Sequence, residues 1–189
     1  MPDRTDKELM KLVARQNYQA FRLLYQRYYI LIFNFLLRYT GQRELAQDLL
    51  QETFTRVWTA AHSFDLKHGN FRGWIYSIAI NLTRSEMIKK RYAYQYCEVD
   101  DIKGTRNEPV SPAREQPDKQ AENADLQHQI NSALSQLDPL LREVIILKHF
   151  QQLKFREIAE MTNTPEGTLK ARFHRAIAKL KEIMKDADK

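Results

Sequence analysis

The stretch from Leu153 to Met184 constrains the fold of this chain more than any other. Phe155, Ile158 and Ala159 recur at i, i+3 and i+4, so a short helix there has one apolar stripe, with Arg156, Glu157 and Glu160 turned away from it. Thr162, Asn163 and Thr164 interrupt the pattern. Asparagine tolerates the left-handed backbone of a helix end, and Thr164 before Pro165 offers a capping hydroxyl and a preset first helical residue. A second helix is therefore expected from Pro165, with Leu169, Phe173, Ala176, Leu180 and Ile183 on its core side. Its other side carries Gly167, Thr168, Lys170, Ala171, His174 and Arg175, flanked by Arg172. Small residues let such a helix lie close to a duplex, while Lys and Arg reach phosphates or guanine edges. Taken alone, the basic face is equally a solvated surface; joined to the capped turn and the short first helix, it predicts a helix-turn-helix.

The rest of the composition agrees with a nucleic-acid partner and excludes several other classes. A net charge of +6 suits a polyanion, although charge alone does not separate DNA from RNA or an acidic membrane surface. Five glycines in 189 residues, none in a phosphate-cradling pattern, and few alternating apolar runs predict an all-α protein, and 43% hydrophobic content suffices for one large or two small cores. The single cysteine, Cys97, excludes an internal disulfide and fits a reducing cytoplasm. No apolar run has signal-peptide character or approaches the roughly 20 residues of a membrane span, so no membrane insertion is expected. His62, His68, His128, His149 and His174 are scattered without zinc-ligand spacing, and no cysteine–histidine pair is set for nucleophilic work. Neither catalysis, a metal nor a cofactor is expected.

Along the chain, a helical pattern runs from Asp6 to about Thr40 and ends at Gly41. A further helix from about Arg43 to Ala61 places Leu50, Phe54, Val57 and Ala61 on one side. Its other side holds Glu44, Asp48 and Glu52 at i+4 steps among Gln47 and Gln51, an acidic, amide-rich stripe on a basic protein that does not bind DNA. After a polar loop, His62 to Asn70, the residues Phe71, Trp74, Ile75, Ile78 and Leu82 mark another helix, in which Phe71 and Trp74 read as core. Arg72, Arg84, Lys89 and Lys90 lie among aromatic side chains, a mixture that suits single-stranded nucleic acid, with the loop, Asn81 and Arg84 as candidates for base contact. Cys97 to Asp125 has scattered prolines, no period and more acids than bases, as expected of a linker. Helical pattern resumes at Leu126, and Asp138–Pro139 forms a cap and first turn for the next helix.

Two separated blocks resemble one family, the bacterial sigma factors of RNA polymerase, in particular the short extracytoplasmic function group. The amino block, DLLQETF at 48–54 with Trp58, FRGWI at 71–75 and IAINL at 78–82, is similar to sigma region 2. The carboxyl block, LSQLDP at 134–139, REV at 142–144, EIA at 157–159 and GTLK at 167–170 followed by His174, Arg175 and Ala176, is similar to region 4. The resemblance implies two small helical domains, 1–95 and 126–189, joined by a flexible linker at 96–125. It assigns Asp48, Leu49, Gln51, Glu52 and Phe54 to core RNA polymerase, and Phe64, Asn70, Arg72, Asn81 and Arg84 to the promoter −10 element, which the protein helps to open. Thr168, Lys170, Ala171, Arg172, His174 and Arg175 fall to the −35 element. An inhibitory anti-sigma protein is an expected partner, and the cytoplasm the expected location. The competing reading is a stand-alone helix-turn-helix regulator whose amino-terminal domain senses a ligand or partner.

Overall fold

Thr5 starts the first helix by a reciprocal cap: its hydroxyl accepts from the Glu8 amide at 3.3 Å and the Glu8 carboxylate accepts from the Thr5 amide at 2.8 Å. In the computed structural model the described residues are 4–66, 69–97 and 129–187. Helix α1 (Asp6–Val13) is short, and α2 (Tyr18–Thr40) follows a break that the continuous apolar pattern did not announce. The physical cause is local. Gln16 takes a left-handed φ of 61°, and the Asn17 side chain then accepts from the Ala20 amide at 3.0 Å and begins a new helix. The two are tied by Asp6, which accepts from Arg27 at 2.8 Å and from the Tyr28 hydroxyl. Gly41 ends α2 as expected, with φ 68° and its amide donating to Leu37 at 2.8 Å.

Helix α3 (Arg43–Thr59), a 3₁₀ turn (Ala61–Ser63) and α4 (Phe71–Cys97) complete the amino-terminal part. The linker expected at 96–125 lies almost wholly outside the described residues. The chain is again described from 129, with α5 at 129–135. The Asp138 carboxylate caps α6 (Pro139–Ile145) by accepting from the Leu140 amide at 3.0 Å, with Pro139 in the first turn. A π-helical turn, Ile146–Phe150, continues α6 and closes with the Gln151 amide on the Ile146 carbonyl at 3.0 Å. Helices α7 (Phe155–Thr162) and α8 (Glu166–Ala187) form the helix-turn-helix. Asn163 between them has φ 49° and ψ 45°, the left-handed conformation its side chain tolerates. One detail differs from expectation. The Thr164 hydroxyl donates back to the Thr162 carbonyl at 3.1 Å instead of capping α8, and Pro165 stands one residue before the helix, accepting from the Leu169 amide. Among the described residues every regular element is helical, so the fold is all-α.

A buried core joins α1 to α4 through Leu9, Leu24, Ile32, Phe35, Leu50, Phe54, Val57, Phe71, Ile75 and Ile80. Full burial of side chains of this size contributes about 1.5–3 kcal/mol each before conformational entropy is counted. The same core continues into Val144, Ile146, Leu147, Leu153, Ile158, Met161 and Leu169 of the carboxyl-terminal part. A smaller cluster of Leu134, Leu137, Leu141, Ile145 and Ala176 lies on the far side of α6. Helix α7 thus rests on α4 and the π turn rests on α2.

Candidate nucleic-acid interface

The spacing of α3 separates two chemistries. Ala46, Leu50, Thr53 and Val57 face the core, which leaves Glu44, Gln47, Asp48, Gln51 and Glu52 exposed. Glu52 pairs with Arg56 one turn on, at 2.9 Å. Leu49 and Phe54, which the family resemblance groups with them, are 6% and 3% exposed and each lies on the wall of a surface groove. The larger groove, about 760 Å³, runs between α2 and α3. Its floor is aromatic: the Phe21 and Trp58 rings stand edge-on 5.1 Å apart, Tyr25 and Phe54 lie 4.6 Å apart, and Tyr18 is 65% exposed at the end. Gln47 and Gln51 form one rim. Sequence reasoning missed Tyr18, Tyr25 and Tyr29 as surface groups. The available signal was a second helical stripe at 18, 21, 25 and 29, beside the core stripe at 20, 24, 28 and 32.

The residues expected at the −10 element are dispersed. Phe64 is buried against Trp74, ring centres 5.3 Å apart. Gly69 packs so closely on the Asp65 carbonyl that a Cβ would lie 2.3 Å from it, so only glycine closes the loop before α4. Asn70 is exposed and its carbonyl accepts from the Trp74 amide at 3.0 Å, while Asn81 is exposed further along α4. Arg72 and Arg84 turn toward the carboxyl-terminal part. Arg84 makes a two-pronged contact with Glu143, at 2.9 and 2.7 Å, and Arg72 donates to the Gln151 carbonyl at 2.7 Å. Tyr76 donates to the Gln151 side chain at 2.6 Å. Arg142 donates to the Tyr39 carbonyl at 2.8 Å, and the Arg38 guanidinium lies 4.6 Å over the Phe150 ring. The Glu143 hydrogen bonds push the Arg84 pKa up, whereas burial pushes Arg38 and Arg142 down and raises Tyr76 to about 12. Sequence reasoning missed Glu143 and Gln151, whose partners lie 59 and 75 residues away, beyond the reach of any local period.

The exposed face of α8 has the burial pattern that the spacing predicts. Leu169 and Ala176 are buried, while Thr168, Lys170, Ala171, His174 and Arg175 are exposed and Arg172 is half-buried at the edge. Nothing lies within 4 Å of the place a Cβ would take on Gly167, so the approach to the helix is open. Phe173 holds the helix on α7 by an edge contact with Phe155, centres 5.7 Å apart. Lys170 is drawn toward Glu166 at 3.8 Å, an exposed pair of small energy. Among the described residues no helix is long and apolar enough to cross a membrane, and no group of three His, Cys, Asp or Glu side chains is placed to hold a metal.

Comparison with known proteins accounts for this arrangement. Residues 24–94 match the model of sigma-70 region 2 and residues 127–180 that of sigma-70 region 4. The chain is similar to the ECF RNA polymerase sigma factor SigW of Bacillus subtilis, 31% identical over 182 residues that cover 95% of this chain and 97% of that protein. It is also similar to the RNA polymerase sigma-H factor of Pseudomonas aeruginosa, 27% identical and covering 90% and 89% of the two chains. Its fold is shared with the sigma factor RpoE, solved with the anti-sigma factor NepR from Bartonella quintana, at a TM-score of 0.69, 24% identity and coverage of 87% and 96%. It is shared likewise with CnrH, solved with the cytosolic domain of CnrY, at a TM-score of 0.70, 24% identity and coverage of 97% and 99%. Carrying region 2 and region 4 in that order, and aligned along nearly its whole length with a sigma factor, the chain belongs to the ECF group of the sigma-70 family of RNA polymerase sigma factors.

Proposed function

We propose that this sigma factor divides its work among three surfaces. Asp48, Gln51 and Glu52, with the aromatic groove beside them, dock on core RNA polymerase; Asn70, Arg72, Asn81 and Arg84 take the −10 element as it melts; and the exposed face of α8 from Thr168 to Arg175 reads the −35 element as duplex. The observation that carries the reading is the separation of charge: one acidic, amide-rich helix face stands apart from a basic recognition helix on a single helical scaffold. The proposed domain division is 1–95 and 126–189, with 96–125 as spacer. An anti-sigma protein is the proposed inhibitory partner, since the sigma factor RpoE, of similar fold, was solved with one, and the cytoplasm the proposed location. The stand-alone regulator is not favoured, because nothing in it requires a region 2 block ahead of the helix-turn-helix. The test is transcription reconstituted from core polymerase on a genomic promoter library, with and without the chain. Transcripts that start at a defined promoter subset only when the chain is present support the reading; none at any promoter rejects it.

A further inference from the structure

Pro109, Val110, Ser111, Pro112, Ala113 and Arg114 form a P-x-x-P-x-R run that lies outside the described residues and whose pattern a plain spacer does not require. We propose that in the free chain this run seats in the aromatic groove between α2 and α3, with Pro109 against Tyr18 and Trp58, Pro112 against Tyr25 and Phe54, and Arg114 at the acidic shoulder of α3. The inference goes beyond the polymerase docking read above: it concerns the chain before polymerase takes that groove. Order, spacing, charge and the length of chain on either side of the run carry it.

The groove has a direction. Helices α2 and α3 run antiparallel, so its ring pairs follow in sequence: Tyr18 meets Trp58 with centres 6.5 Å apart, then Tyr25 meets Phe54 at 4.6 Å. Beyond Phe54 the rim becomes amide, with Gln51 and Gln47. Glu44 and Asp48, both exposed, each stand three residues before one of these glutamines and so lie beside them on the helix surface. Among the described residues neither carboxylate is paired with a cation, whereas Glu52 is held by Arg56. Prolines spaced in this way favour the left-handed polyproline helix, which rises about 3.1 Å per residue with three residues per turn, so Pro109 and Pro112 project from one side about 9 Å apart. Tyr18 and Tyr25, seven residues apart on α2, are separated by about 10 Å along its axis. Arg114 falls about 6 Å beyond Pro112, and Asp48 lies about 9 Å beyond Phe54 along α3, a difference the long arginine side chain covers. In the reverse direction the arginine would pass the Trp58 end, away from both carboxylates. Aromatic-lined grooves are the surfaces on which such runs dock, and the Gln47 and Gln51 amides are donors for the carbonyls that a polyproline helix leaves without internal partners.

The run also reaches. Helix α4 packs on the opposite wall of α3, where Leu82, Ser85 and Lys89 line a second groove with Asp48 and Glu52. From Lys89 to the end of α4 at Cys97 is about 12 Å, and a helix is about 10 Å across, so the aromatic groove begins within roughly 30 Å of Cys97. Residues 97 to 109 span at most about 40 Å and residues 114 to 129 about 50 Å, enough to enter the groove and return to α5. A run tethered so closely meets the groove at about millimolar effective concentration, so a weak contact seats it.

The experiment uses the full chain without polymerase, with Cys97→Ser and with Ser111→Cys carrying a nitroxide, and with fluorotryptophan at Trp58 and Trp74, its two tryptophans. Circular dichroism checks that helix content is retained, since every substitution lies within 97–114 or on the exposed shoulder of α3. The expected result is a Trp58 fluorine line broadened by the nitroxide several-fold more than that of Trp74, with the excess abolished by Pro109→Ala with Pro112→Ala. Arg114→Glu should lower the seated population about two- to fivefold, and Glu44→Lys with Asp48→Lys should restore it in that variant. Excess peptide of residues 106–117 should displace the run and sharpen the Trp58 line. Equal broadening of the two tryptophans, an excess that survives the proline replacements, an Arg114→Glu variant without effect or without rescue, or a line the peptide leaves broad would each overturn the proposal. So would broadening in a mixture of nitroxide-labelled and separately fluorinated chains, which would assign the groove to a second copy. Any of these failures leaves the polymerase reading to its own transcription test.

Discussion

Glu52 on α3 accepts a hydrogen bond from Arg56 one turn later at 2.9 Å, and the two side chains are 48% and 51% exposed. A pair so open to solvent is worth only about 0.3–0.5 kcal/mol, so the docking proposed for Glu52 would displace Arg56 as its partner at little cost. The acidic stripe is held ready without being consumed.

Reversing that stripe with Asp48→Lys and Glu52→Lys is expected to weaken binding to core polymerase by about tenfold or more, roughly 1.4 kcal/mol, while thermal unfolding stays within about 0.5 kcal/mol of wild type. A pull-down titration read beside a melting curve checks both halves of the statement.

On α8, Arg175→Ala and Arg172→Ala separate two kinds of contact. Loss of a guanine-edge contact removes about 1–3 kcal/mol of discrimination at one promoter position, whereas loss of a phosphate contact weakens all upstream sequences alike and lowers the salt dependence. Promoter variants scanned by run-off transcription at two salt concentrations distinguish these outcomes, and unchanged promoter use in both variants would mean that the recognition face lies elsewhere.

The turn between α7 and α8 depends on Asn163 at φ 49°. Asn163→Ala is expected to cost about 1 kcal/mol, because a Cβ without a locally bonding amide is strained in the left-handed region, while Asn163→Gly should be neutral or slightly stabilising. Urea unfolding of the two variants gives the comparison.

Burial raises the pKa of Tyr76 to about 12 and pushes Tyr28 and Tyr39 higher still. A folded-state value above the ordinary one of about 10 means that the folded form binds these protons more tightly. The stability they supply is therefore complete below about pH 10 and is lost as pH rises through the folded values. In an alkaline titration the tyrosinate absorbance of these three should appear together with loss of helix.

Much of this was written locally in the chain. The stripes of α3 and α8, the cap at Asp138, the stop at Gly41 and the left-handed Asn163 all follow from side chains acting within a turn or two of themselves. The break at Gln16 was hidden because apolar periodicity continues across it, and only the Asn17 cap marks it. The fate of Arg72 and Arg84 was hidden for a different reason. A cation among aromatics reads the same whether its anion is a phosphate or a carboxylate brought back by the fold, and nothing near Arg84 in sequence names Glu143.

The π turn at Ile146–Phe150 sets a limit on how this chain can vary in length. Leu141 and Ile145 ahead of it face the cluster shared with α8, and Ile146 and Leu147 within it face the core shared with α2, so one continuous helix serves two walls through a single widened turn. Each residue of helix advances the side chains by about 100°, so deleting one here would swing Gln151 and everything after it away from its partners. Insertions and deletions accumulated over evolutionary time should therefore fall between 98 and 128 and spare these five positions.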